Sequence, residues 1–284
     1  MRSLLAPIAM PILRMATRSY VTGPEVLDAM GVANSAAQRG LGSTICYWND
    51  GTEDPQDVLG QYLASIAAIH EAHIDADLAV KIPALWDRRE LVERIVGRAR
   101  EVGRRVVFDS HAPAQSDLTF ELLSQLGPEG LGCAIPGCWR RSLQDVERAI
   151  ELGVRVRVVK GQWPDPQQPD MDLRDGFLAV VDALAGRATS VGIATHDVPL
   201  AREAMRRLAS AGTPCELELL FPMPIEEAVR EARAAGIAVR LYIPFGEAWL
   251  PYSVSRALRN PRVLGWLLRD LVLGRDFKLP KTAD

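Results

Sequence analysis

Polar side chains, most of them ionisable, recur at the ends of short apolar runs in this chain, and that spacing is its first sign of chemistry. Lys81 follows LAV. Asp109 closes RVVFD, with His111 two residues on. Arg157 and Lys160 sit in RVRVVK, Thr195 and His196 close VGIATH, Glu218 lies in CELEL, and Tyr242 ends AVRLY. Each has a structural explanation when taken singly. Arg157 alternates with Val156 and Val158 and so points away from them, which fits an interior salt bridge with Asp109. His196 is placed to cap a helix near Pro199, and Lys81 can extend its stem to a rim. So many ionisable groups at corresponding places favour one shared site instead.

The segment 240–260, RLYIPFGEAWLPYSVSRALRN, adds an aromatic hydroxyl and a guanidinium to that list. It opens as a β run that Pro244 and Gly246 are expected to end, because proline cannot donate to a ladder and glycine suits a turn. Pro251 then suits a first helical position, and Tyr252, Ser255 and Arg256 share one helical face at i, i+3 and i+4. A strand delivering Tyr242 and a helix presenting Tyr252 and Arg256 make the wall of an anion-binding pocket.

The elements that must position these groups alternate along the chain. β-like runs fall at 41–47, 78–82, 105–109, 131–135, 154–160, 191–195, 215–219 and 238–242, with helical patterns such as 57–73, 89–102, 143–152, 200–209 and 225–235 between them. Eight strands alternating with helices predict an α/β fold of the (β/α)8 TIM-barrel type, whose strand C-termini carry function. No G-x-G-x-x-G follows the first strand, so a dinucleotide fold of the Rossmann kind is not supported. Residues 1–40 read as N-terminal cap helices and 41–284 as one barrel domain.

Composition bounds the rest. The 284 residues are 48% hydrophobic with a net charge of −3, which gives mass for a large core and no basic excess to bind nucleic acid. Cys46, Cys133, Cys138 and Cys215 form no C-x-x-C pair and read as reduced residues of a cytoplasmic protein, neither a disulfide nor a zinc framework. In the apolar N-terminus, Arg14 and Arg18 stand where a signal peptide needs small residues. No stretch approaches the roughly 20 apolar residues of a membrane span.

Three segments carry a family resemblance. RVRVVKGQW (155–163), GIATHD (192–197) and LYIPFGEAWLPYSVSRALRN (241–260) resemble the VRLVKGAY, IATHD and VYVPYGEDWYPYxxRRLxE segments of flavin-dependent proline dehydrogenases. The resemblance runs from about Gly40 to Val272. It implies a distorted barrel whose last helix crosses the mouth, with FAD at the strand C-termini. It also implies oxidation of a proline-like cyclic secondary amine by hydride transfer to flavin N5, the flavin supplying the chemistry and the protein the positioning.

Carried over residue by residue, the resemblance makes Arg157 and Asp109 the catalytic pair. Arg157 donates near N5, and Asp109 orients the cations or the ring edge. Ser110, Pro136, Lys160, Gly161, Gln162, Thr195, His196 and Glu218 join Arg157 as flavin contacts. Lys81, Tyr242, Tyr252, Ser255 and Arg256 fall at the substrate, with Arg256 and Lys81 on its carboxylate. The implied electron acceptor is a quinone, with peripheral membrane contact, or oxygen.

Departures from the family pattern point to a divergent substrate. Ser255 stands where the family has the first of two adjacent arginines. A lost charge-assisted hydrogen bond of roughly 1.5–3 kcal/mol implies about 10- to 100-fold weaker carboxylate binding. Arg259 replaces a glutamate one turn on, and Pro136, His111 and Glu218 replace two glutamines and an acid. A substituted imino acid, another secondary amine or a hydrazine is the expectation these changes raise. Other readings are a metal-dependent hydrolase using Asp109, His111, His196 and Glu218, a ligand-binding barrel without catalysis, and a Schiff-base lyase at Lys81 or Lys160.

Overall fold

The computed structural model describes residues 22–49, 51–85, 88–109, 112–161 and 165–246. Eight parallel strands close into a barrel in chain order, with β8 (Ala238–Phe245) returning to pair with β1 (Gly42–Tyr47). Between them run β2 (Ala76–Val80), β3 (Val106–Phe108), β4 (Leu131–Pro136), β5 (Arg155–Val159), β6 (Val191–Ala194) and β7 (Cys215–Leu220). The (β/α)8 expectation is met. The helices outside the strands are α1 (Val26–Ala37), α2 (Pro55–Ala72), α3 (Arg89–Glu101), α4 (Ser116–Leu126), α5 (Ser142–Leu152), α6 (Leu173–Leu184), α7 (Val198–Ser210) and α8 (Glu226–Ala234). The last helix expected at 251–260 lies outside the described residues, as do residues 1–21.

Two kinds of core follow from the period-2 alternation of the strands. Outward positions such as Ile45, Leu78, Phe108, Ile135, Val156, Ile193, Leu219 and Ile243 pack against the helices and are buried. Each such side chain contributes about 1.5–3 kcal/mol by leaving water. Inward positions are of another composition, with Asp77, Arg105, Asp109, Arg155, Arg157, Glu216, Glu218, Arg240 and Tyr242 joined across the lumen by ion pairs and hydrogen bonds. Helix α1 packs on β8 and β1 and places Ala29, Met30, Ala33 and Ala36 in the apolar core.

Small residues make room for the lumen charges. A Cβ on Gly192 of β6 would stand 2.2 Å from Glu218 Oε1 and 2.7 Å from Arg155 Nη2. An exposed carboxylate would swing aside, but Glu218 is buried and held by two arginines. Gly192→Ala is therefore expected to destabilise the barrel by about 1–3 kcal/mol, the range for overpacking, read as a lower urea midpoint at unchanged slope.

Strand bounds depart from the expected ones for identifiable reasons. β2 begins at Ala76 because Asp77 belongs to the strand, its charge turned inward to Arg105 and Arg240. It ends at Val80, so Lys81 leaves the strand just before the 3-10 turn Ile82–Leu85. β8 does not stop at Pro244 but runs to Phe245. The Tyr242 carbonyl accepts from Phe221 N–H on the β7 side, so the backbone of Pro244, two residues on, faces the side where β7 has ended at Leu220. No ladder donor is needed there, and proline is tolerated. Trp48 N–H closes the other side by donating to the Phe245 carbonyl.

Candidate active site at the barrel mouth

Asp109 gathers the mouth of the barrel. It follows β3 directly, and its Oδ1 accepts from Arg157 Nη1 at 2.7 Å. Its Oδ2 accepts from Tyr242 Oη at 2.6 Å and from Lys81 Nζ at 3.2 Å. Cys46 Sγ lies 3.8 Å from the same oxygen. Four strands thus deliver four side chains to one carboxylate, and the salt bridge expected between Arg157 and Asp109 is present.

Other elements hold these groups still. The backbone N–H of Lys81 donates to Tyr62 Oη of α2 at 3.0 Å, and the Lys81 ammonium lies 4.2 Å from the centre of the Trp48 ring. That placement is a cation–π contact, worth about 0.5–2 kcal/mol. The Arg157 guanidinium carbon lies 5.0 Å from the Tyr242 ring centre. Beneath, Arg157 Nε donates to Glu218 Oε2 at 2.7 Å, and Glu218 Oε1 accepts from Arg155 Nη2 at 2.7 Å. Arg155 reaches Glu216 in turn, and Glu216 reaches Arg240. Arg157 is 3% exposed, and among the described residues its Nη2 has no hydrogen-bond partner. A buried guanidinium nitrogen without an acceptor costs the desolvation it has already undergone, so it is a donor in want of a ligand.

The charges in this cluster are fixed at neutral pH. Burial opposes the Lys81 charge, but the Asp109 carboxylate outweighs it and pushes the ammonium pKa up. Burial pushes the Cys46 thiol up to about 12 and the Tyr242 hydroxyl well above its ordinary range, the latter helped by Asp109, so both stay protonated. Burial works against an ionised Glu218, yet the guanidiniums of Arg157 and Arg155 bring its carboxyl from 4.5 down to about 2. A folded-state pKa below the unfolded one means the pairing stabilises fully above about pH 4.5 and is lost as pH falls through about 2. Asp117, held at about 2 mainly by hydrogen bonds from Arg141 and Arg148, titrates in the same window. Unfolding free energy measured from pH 5 to 2 is expected to fall less steeply in Glu218→Gln than in wild type.

The remaining expected residues form a second group on the strands beyond. Lys160 Nζ lies 3.2 Å from Asp197 Oδ2, which also receives Arg174. Thr195 Oγ1 accepts from Asp197 N–H at 3.2 Å. Asp197, not His196, caps α7, its Oδ1 accepting from Leu200 N–H. His196 spans two backbone groups instead: Nε2 accepts from Leu220 N–H at 2.9 Å, so Nδ1 carries the proton toward the Pro224 carbonyl at 3.2 Å. Gly161 leaves β5 at φ 99°, and Pro136 ends β4 with its carbonyl accepting from Ser142 Oγ. Ser110, His111, Gln162, Tyr252, Ser255, Arg256 and Arg259 lie outside the described residues.

Arg155, Trp48 and Tyr62 are site-forming residues that sequence reading passed over. Arg155 has the same inward parity as Arg157, and that was a usable signal. The metal-hydrolase reading is not favoured by this geometry. Asp109 and Glu218 spend their oxygens on guanidiniums, the ammonium and the phenol, and His196 uses both nitrogens on backbone groups. Among the described residues no group of three or more His, Cys, Asp or Glu side chains is placed to hold a metal ion.

Comparison with known proteins extends over nearly the whole chain. No protein-family model matches it. It is 23% identical over 279 residues to a proline dehydrogenase of Deinococcus radiodurans, spanning 86% of this chain and 89% of the relative. It is also 23% identical over 279 residues to proline dehydrogenase 1 of Bacillus subtilis, spanning 91% of each. Among solved structures, proline utilization A from Bdellovibrio bacteriovorus, inactivated by N-propargylglycine, aligns over 95% of this chain with a TM-score of 0.73 at 18% identity. That from Corynebacterium freiburgense aligns over 98% with a TM-score of 0.70 at 15% identity. The chain spans about a third of the length of these larger proteins, 34% and 35%.

Proposed function

We propose that this chain, a divergent member of the proline dehydrogenase family, is an FAD-dependent dehydrogenase acting on the CH–NH group of proline or a proline-like cyclic secondary amine. The observation that carries the reading is Arg157. Its guanidinium is clamped by Asp109 and Glu218 at the strand ends, with Nη2 left as a buried donor. A flavin ring edge is rich in acceptors, so the residues present fit the group. When bound, FAD accepts the hydride that leaves the carbon beside the substrate nitrogen.

The protein's own part is to bind, orient and exclude water. Arg157 Nη2 donates toward the ring region where negative charge grows, a fixed donor in a site screened from solvent. Lys160, Gly161, Thr195 and His196 stand at neighbouring strand ends and would hold the cofactor there, a role the family resemblance extends to Ser110 and Gln162. Lys81 and Arg256 hold the substrate carboxylate, the ammonium as a point charge and the guanidinium as a fork. Tyr242 closes the pocket from β8, and the family resemblance assigns Tyr252 and Ser255 to the substrate as well. The substrate nitrogen must arrive unprotonated, since an ammonium has no lone pair to assist hydride departure. The electron acceptor we propose is a quinone or oxygen, for a cytoplasmic protein that would touch a membrane peripherally in the quinone case.

The absorbance spectrum of the purified protein tests the reading directly. A yellow protein with a band at about 450 nm that bleaches anaerobically with L-proline or a ring-modified analogue is the expected result. A colourless protein that takes up no added FAD overturns it.

A further inference from the structure

The lumen beneath the mouth holds an ion pair that touches neither the expected substrate groups nor the outer rim. Glu218 on β7 divides its carboxylate between Arg157 Nε above and Arg155 Nη2 below, each at 2.7 Å. Both its oxygens are therefore spent on arginines. Arg155 is 6% exposed and Glu218 is 3% exposed, so little solvent screens the pair. The glycine at 192 leaves the space into which the carboxylate and Arg155 fit.

Geometry alone shows what this pair does to Arg157. A guanidinium has five N–H donors in a rigid plane. Asp109 on Nη1 and Glu218 on Nε fix that plane at two edges, and Nη2 is the corner left over. Swinging the guanidinium out of that plane breaks two charge-assisted hydrogen bonds at once. The same arrangement sets a field, because three cations (Lys81, Arg157 and Arg155) face three carboxylates (Asp109, Glu218 and, below them, Glu216).

We infer that Glu218 and Arg155 are positioning residues that aim Arg157 Nη2 at the cofactor and set the cofactor's reduction potential through their opposed charges. The inference rests on the flavin reading above and adds that Glu218 acts through Arg157 and not by touching the cofactor. Two-electron reduction adds negative charge at the mouth. A carboxylate just below opposes that charge and a guanidinium just below favours it.

Midpoint potentials of the bound flavin, measured by photoreduction against reference dyes, test this without any substrate. Glu218→Gln keeps an acceptor for Arg157 Nε while removing the negative charge, and is expected to favour reduction tenfold or more, about 30 mV upward for a two-electron couple. Arg155→Gln removes a positive charge from the same column and is expected to shift the potential downward. Arg155→Lys keeps the charge and is expected to stay near wild type, which also secures a folded variant at that position. A purely structural pair predicts lost stability with no shift, or shifts of the same sign. Either of those results, in variants that hold flavin, overturns this inference alone. A wild-type protein without flavin overturns the functional reading and this inference with it.

Discussion

Arg157→Met is expected to give the largest loss of flavin reduction of any single change in the described residues. Methionine replaces the stem at similar length but leaves the part-buried Asp109 and the buried Glu218 in one lumen without the guanidinium between them. Breaking a buried pair in this way costs about 3–5 kcal/mol in general, because an uncompensated charge stays behind. Here Arg155 still holds Glu218, and Lys81 and Tyr242 still hold Asp109, so the lower end of that range applies. The lost Nη2 donor acts on the rate as well. Removing one preorganised donor from a screened site lowers kcat by about 10²–10³-fold. Stopped-flow anaerobic reduction with urea melts on the same preparation separates the two effects. Arg157→Lys restores the charge but not the three-cornered fork, so it is expected to recover most of the stability and little of the rate. Wild-type reduction in Arg157→Met, with wild-type flavin content, would remove Arg157 from the mechanism.

The barrel was legible in the sequence because parallel strands wrapped by helices leave a repeated record: a short apolar run, then an amphipathic one. The Arg157–Asp109 pair was legible for a narrower reason. An arginine between two valines in a strand points to the face opposite theirs, and the only face of a closed barrel that holds a buried arginine is one that also holds a carboxylate. The same parity marked Arg155, Glu216 and Arg240, yet alternation along one strand does not say which charges meet across the lumen. Pairing Glu218 with arginines from β5 requires distances across the lumen, between strands that are not neighbours, and no local pattern encodes them. His196 illustrates the converse error of locality. A polar residue before a helix reads as a cap, but Asp197 next to it supplies the capping oxygen while the imidazole ties two backbone groups around the end of β7. Pro244 misled for the same reason, since whether a strand tolerates proline depends on what lies beside it.

Asp109 substitutions are expected to show stability and catalysis parting in an unusual direction. Asp109→Ala leaves the part-buried Lys81 ammonium without its carboxylate and the Tyr242 hydroxyl without its acceptor, while Glu218 still holds Arg157, so a loss toward the lower end of about 3–5 kcal/mol is expected. Asp109→Asn is the more informative change. An asparagine carbonyl accepts from only one side of the cluster, and its NH2 group is turned toward donors on the other, so at least one charge-assisted bond of about 1.5–3 kcal/mol is lost. The mouth at the same time gains a unit of positive charge. A carboxylate substrate is held at least as tightly by that mouth, while Lys81 and Arg157 lose the group that fixed their positions. Accordingly kcat is expected to fall about 10- to 100-fold as KM stays level or drops, the pattern of a site that binds well and aligns poorly. Tyr242→Phe removes only the neutral donor and is expected to cost about 1 kcal/mol with a much smaller change in kcat. Steady-state kinetics with whichever cyclic amine bleaches the wild-type flavin fastest decides the matter. A rise in KM with unchanged kcat in Asp109→Asn would assign Asp109 to ground-state binding alone and take it out of the positioning of Arg157.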